Sequence, residues 1–150
     1  MKKSIVEIVL AIIFVLCVIE AANMVTLLSR TTTIHNYATI KAVGVAFFRD
    51  SAATQPATNI TWGLVSPGMT YNTTLYCENI KTANVTMTLT VGNWNPANAS
   101  AYLSPGWNYT GALLTVKQII PIKFTLQVFS NVTSSGITNF AFTYNVTAAG

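Results

Sequence analysis

At 150 residues the chain has room for one domain and a terminal segment. Asp, Glu, Lys and Arg make up only 8% of it, where a soluble domain averages roughly 25%, so Thr, Asn, Ser and Tyr must supply the surface polarity. The net charge of +4 comes from scattered basic residues that form no patch or basic helix; a phosphate-binding footprint needs clustering, so no nucleic acid is expected as a partner.

Lys2 and Lys3 precede Ile5–Leu28, a run of 24 residues that is nearly all apolar. Roughly 20 such residues cross a bilayer as a helix. Glu7 and Glu20 interrupt the run and leave an uninterrupted core at Ile8–Ile19. A core of that length also suits the h-region of a cleaved signal peptide, but Glu20-Ala21-Ala22-Asn23 makes a poor cleavage site. The expectation is an uncleaved signal anchor over residues 1–30. The basic residues then stay in the cytoplasm and the remainder of the chain lies outside. Lys2-Lys3-Ser4-Ile5-Val6-Glu7 followed by apolar residues also resembles the leader and helix start of type IV prepilins, although Lys2 stands where a small residue is expected before cleavage. Glu7 and Glu20 are the candidate helix-assembly residues, because a carboxylate in a bilayer must be protonated, snorkelled or paired.

Residues 31–38 read as a Thr-rich linker, with His35 as a solvated residue. Residues 39–150 read as an extracellular β-sandwich. Ile40–Phe48 is a predicted strand in which Gly44 suggests a bulge or a close backbone approach. Asn59–Val65 is a second strand, ending at Ser66-Pro67-Gly68, which suits a type II turn. Thr73, Leu75 and Cys77 alternate with Asn72, Thr74 and Tyr76. After a polar corner at Glu78–Ala83, Val85, Met87, Leu89 and Val91 alternate with Thr86, Thr88 and Thr90. Period-two patterning with β-branched residues means one face in a core and one in water. Gly92–Ala99 reads as a turn-rich connection, and Ala101–Tyr109 carries a second Ser-Pro-Gly. Gln118–Ser130 sets Ile122, Phe124, Leu126 and Val128 on one face. Ile137–Ala148 does the same with Phe140, Phe142, Tyr144 and Val146. The fold class expected is mainly β: an N-terminal transmembrane helix and a single antiparallel, immunoglobulin-like sandwich of about seven strands, with an edge strand left open. Trp62, Trp94 and Trp107 are expected in its core or edges, or alternatively as an aromatic ligand platform.

Seven Asn-x-Ser/Thr sequons fall in this part, at Asn59, Asn72, Asn84, Asn98, Asn108, Asn131 and Asn145. They are candidate N-glycosylation sites; the plainer alternative is that Asn and Thr merely supply neutral polarity. Nothing points to catalysis. Asp50 and Glu78 are the only acids outside the apolar run, and one His with two Cys (Cys17 inside the apolar run and Cys77 on a predicted strand, expected in different compartments) cannot build a zinc site or an intrachain disulfide. No enzyme, cofactor or metal is expected.

Residues 39–50 (TIKAVGVAFFRD), 61–68 (TWGLVSPG), the corner Glu78-Asn79-Ile80-Lys81, 91–96 (VGNWNP), 106–111 (GWNYTG) and 136–146 (GITNFAFTYNV) together resemble an Ig-like/CARDB-like sandwich of uncharacterised archaeal membrane-anchored surface proteins. Lys81 and Thr82 depart from the Asn-x-Gly-Asn corner of that group. The resemblance implies an archaeal surface location and no activity. Strand-exchanging subunits of archaeal pili are a more distant likeness. The expected function is a non-enzymatic, membrane-anchored surface protein whose partners are the lipid bilayer, other envelope proteins or copies of itself, and N-linked glycans. The alternative is a pilin-like or strand-exchanging filament subunit.

Overall fold

The computed structural model describes residues 36–150, which form eight strands in two four-stranded sheets. The strands are β1 (Tyr37–Val43), β2 (Val45–Phe48), β3 (Asn59–Thr61), β4 (Thr70–Asn79), β5 (Thr86–Asn95), β6 (Leu103–Trp107), β7 (Ile119–Val128) and β8 (Ala141–Ala149). One sheet has the order β3-β1-β8-β5 and the other β2-β4-β7-β6. The fold is therefore mainly β and sandwich-like. Glu7, Glu20, His35, Cys17 and the apolar run lie outside the described residues. Among the described residues no helix is long and apolar enough to cross a membrane.

The alternating patterns decide which face each strand buries. Ile122, Phe124, Leu126 and Val128 of β7 are all buried, as are Phe140, Phe142, Tyr144 and Val146 in and beside β8. Phe124 meets Tyr144 across the two sheets with ring centroids 4.9 Å apart, and the Tyr144 hydroxyl donates to Thr125 O on the opposite sheet (3.1 Å). Phe47 and Trp107 pack on Phe124, and Trp94 packs on Phe142. Trp62 is buried in the same core, and its Nε1–H finds no acceptor among the described residues. The tryptophans are thus core and edge residues, not a shared exposed platform.

Four details add to or depart from the sequence-based expectation. The predicted strand Ile40–Phe48 is two strands in different sheets. Gly44 separates them with φ +82°, a conformation that glycine adopts without steric cost. A Cβ at Gly44 would lie 2.6 Å from Lys81 Cε and 3.1 Å from Ala148 Cβ, so the close approach expected there is real and serves a change of sheet. Second, the sandwich is not wholly antiparallel: β1 runs parallel to β8, from Tyr37↔Ala141 to Val43↔Thr147. Periodicity carries no information about the direction of a neighbour. Third, the second Ser-Pro-Gly, at Ser104-Pro105-Gly106, lies within β6. Proline is tolerated there because β6 is an edge strand, bonded to β7 alone. Fourth, β1 starts at Tyr37, two residues before the expected linker boundary. The turn at Ser66-Pro67-Gly68 does form as expected, with Met69 N–H donating to Ser66 O (3.3 Å) and Gly68 at φ +76°.

Candidate functional site

The chain enters the domain at Asn36 and β1 carries it to the opposite end, where β2 starts beside Asn79, the last residue of β4. Each end is closed by one buried asparagine. Asn36 donates from Nδ2 to Gly63 O (2.9 Å) and accepts at Oδ1 from Phe140 N–H (3.0 Å), while its carbonyl accepts from Trp62 N–H (2.8 Å). Asn79 has no exposed surface. Its Nδ2 donates to the carbonyls of Ala83 (2.9 Å), Leu114 (3.1 Å) and Thr115 (3.2 Å), and Oδ1 accepts from Lys81 N–H (2.9 Å), closing an Asx turn. Sequence reasoning missed both hubs. Neither begins a sequon, but the same is true of the exposed Asn93, Asn95 and Asn139, so no local pattern marks the two buried ones.

The sequon asparagines are placed differently. Asn59, Asn72, Asn84, Asn98, Asn108 and Asn131 are exposed, and Asn145 is half-buried. Asn59 and Asn72 lie on β3 and β4, Asn84 just before β5, and Asn108 just after β6. Asn98 and Asn131 sit in short 3-10 helices at Ala97–Ala101 and Ser130–Ser135. Asn145 sits on the central strand β8, opposite Lys41 of β1 and Thr90 of β5. Two of the six exposed ones are already engaged: Asn59 Oδ1 accepts from Arg49 (2.8 Å) and Asn108 Oδ1 from Lys123 N–H (2.8 Å). The sites are spread over both sheets and both ends, so they converge on no single pocket.

The two acids are occupied separately. Desolvation raises the Asp50 carboxyl, but the hydrogen bonds from Gln55 N–H, the Thr54 hydroxyl and Thr54 N–H together outweigh it and hold the group below its ordinary value. Glu78 faces Lys117 Nζ at 3.4 Å; that lysine side chain is 71% exposed, so the pair contributes little. Cys77 is a buried free thiol, 3.4 Å from Met87 Sδ; burial, helped by the Glu78 charge, pushes it up to about 12. Among the described residues no three His, Cys, Asp or Glu side chains gather into a group that could hold a metal.

The edges of the sheets are what remains. Along β5, Val85 exchanges two backbone bonds with Leu114 (2.9 and 2.8 Å), and Met87 N–H donates to the Tyr109 hydroxyl (3.2 Å), which itself donates to Ala112 O. By strand parity the same outer edge continues at Leu89 and Val91, beyond the 108–114 segment. Both are half-buried, where the alternation placed them in the core, because β5 is an edge strand. Gly92 and Asn93, the latter at φ +53°, then break the register. Compared with protein-family models and with curated proteins, the chain matches none.

Proposed function

We propose that this chain is a non-enzymatic, membrane-anchored surface protein of the archaeal kind that it resembles. Its residues 1–30 act as the anchor and its Ig-like sandwich is displayed outside the cell, carrying N-linked glycans. The observation that supports this best is the sorting of asparagines. Those buried in the fold, Asn36 and Asn79, lie outside sequons, while six of the seven sequon asparagines are exposed and the seventh is half-buried. A glycan needs an exposed attachment point, and a buried polar group needs its partners satisfied; the chain meets both demands with the same residue type. The outer surface, poor in charge and rich in threonine, suits a domain whose solubility rests on neutral polar groups and attached sugars. The test is intact mass and peptide mapping of protein from native membranes. Retention of Met1–Lys3 together with glycopeptides at the exposed sequons is the expected result. Unmodified asparagines throughout would remove the glycoprotein reading, leaving neutral polarity as the role of the Asn and Thr residues.

A second reading, a strand-exchanging or pilin-like filament subunit, is favoured by one feature: the open backbone edge at Leu89–Val91, to which a strand from a second copy could add. Loss of the leader before the apolar run, with high-molecular-weight assemblies in the same preparation, would favour it over the anchor.

A further inference from the structure

The two ends of the sandwich differ in charge. Glu78, Lys81 and Lys117 gather at the end remote from Asn36. The loops at the end where the chain enters, residues 62–69, 96–102 and 129–140, contain no Asp, Glu, Lys or Arg. They do present Leu64 at 73% exposure, Met69 at 54% and Phe129 at 37%. Hydrogen bonds order two parts of this tip. Asn36 Nδ2 fixes Gly63 beside the entering chain, and the pairs Gly68 N–H to Val128 O and Val128 N–H to Met69 O (both 2.9 Å) seat Met69 next to Phe129. Among these loops lies a recess of about 150 Å³ lined by Val65, Pro67, Val132 and Ile137. Tyr37, 42% exposed, stands at the same end.

Single exposed apolar residues are normal on a protein surface; several on one charge-free tip mark an interaction surface. The remote end also exposes Val43, Ile80, Leu113, Val116 and Ile119, but it interleaves them with charged groups whose removal from water is costly. The chain enters the domain at this tip, where β1 begins at Tyr37. Seven residues, Ser29–His35, separate Leu28 from Asn36, a tether of at most about 25 Å.

We propose that this tip rests on the outer surface of the bilayer, with Leu64, Met69 and Phe129 seated among the lipid headgroups and Tyr37 at the aromatic level of the interface. The proposal depends on the anchored reading above and adds to it an orientation: the domain stands on the membrane at its Asn36 end and does not swing free on the tether.

The test uses the full chain in phosphatidylcholine vesicles containing lipids brominated near the headgroup. A fluorophore is attached at Met69→Cys, or at Ile80→Cys on the remote end, each in a Cys17→Ala background; Cys77 is buried and does not compete for label. Flotation of the vesicles reports anchoring, and quenching reports the tip. The expected result is that the chain floats and position 69 is quenched several-fold more than position 80. Leu64→Asp, at the most exposed of the three positions, should reduce that difference without lowering the thermal midpoint. Flotation with equal quenching at 69 and 80 overturns the proposal and leaves the anchor standing, whereas failure to float overturns both. Position 69 shielded equally in detergent, in a particle of two chains, assigns the tip to a second copy and also overturns the proposal.

Discussion

Burying Asn79 completely is possible because each of its side-chain polar atoms is used. Its amide serves three carbonyls and its oxygen one backbone N–H, which ties the end of β4 to the 79–83 corner and to the 114–115 segment. Asn79→Ala should therefore cost roughly 2–3 kcal/mol, because several buried groups lose their partners at once. Asn84→Ala, at an exposed sequon five residues on, should stay within about 0.5 kcal/mol in unglycosylated protein. Urea melts of the two variants check the contrast. Asp50 gives a pH signature. Its carboxyl titrates below its ordinary value of 3.8, so its contribution is present above the unfolded-state pKa and is lost as pH falls through the folded one. Asp50→Asn should flatten the acid limb of a stability–pH curve. Cys77 works in the opposite direction. Its folded pKa is raised, so its contribution is complete below the ordinary thiol value of 9.0 and disappears as pH climbs toward about 12. Burial pushes the Tyr144 hydroxyl upward as well, in the same alkaline sense. In practice Cys77 should resist an aromatic disulfide reagent at pH 8 until denaturant opens the core; rapid labelling of the folded protein would contradict its burial.

The elements show how far alternation reads. In β7 and β8 the face the pattern marks is buried, because both strands lie inside their sheets and have neighbours on each side; in β8 Thr143 on the opposite face is buried too. In β5 the same clean pattern overstates burial at Leu89 and Val91, since the strand lies at an edge. The order of strands, the parallel β1/β8 pair and the placement of β6 as a proline-bearing edge were not legible. A period of two fixes which way side chains point and says nothing about which strand lies alongside. Gly44 lies between these cases: it was visible as an anomaly in a β run, while the change of sheet it permits depends on Lys81 and Ala148, far away in sequence. Gly44→Ala should cost more than the strain of a left-handed alanine alone, roughly 1–2 kcal/mol, because its Cβ also meets the Lys81 stem and Ala148. Gly63, at φ +64° with open space around it, supplies the comparison: Gly63→Ala should cost only the strain. Equal thermal shifts for the two would mean that the crowding at Gly44 relaxes freely.

At the scale of the molecule, the candidate surface was legible only in part. The seven sequons stood in the sequence, but their sorting from the buried asparagines emerged once the strands were placed. The charge-free tip is assembled from three loops that no local pattern connects. On the anchored reading, Asn145 should be the least occupied sequon, since a sugar there must stand between β1 and β5 on a half-buried strand position; site-by-site glycopeptide mass spectrometry measures this. The parallel pairing of β1 with β8 has a mechanical consequence. The chain enters along β1 at one end and leaves along β8 at the other, and the two strands lie side by side over seven residue pairs. Tension applied between residue 36 and residue 150 pulls them past each other along their length, so their hydrogen bonds are strained together and not peeled one at a time. Stretching a single molecule between residues 36 and 150 should need a markedly higher rupture force than stretching it between residues 79 and 119, where the adjacent ends of antiparallel β4 and β7 would unzip bond by bond.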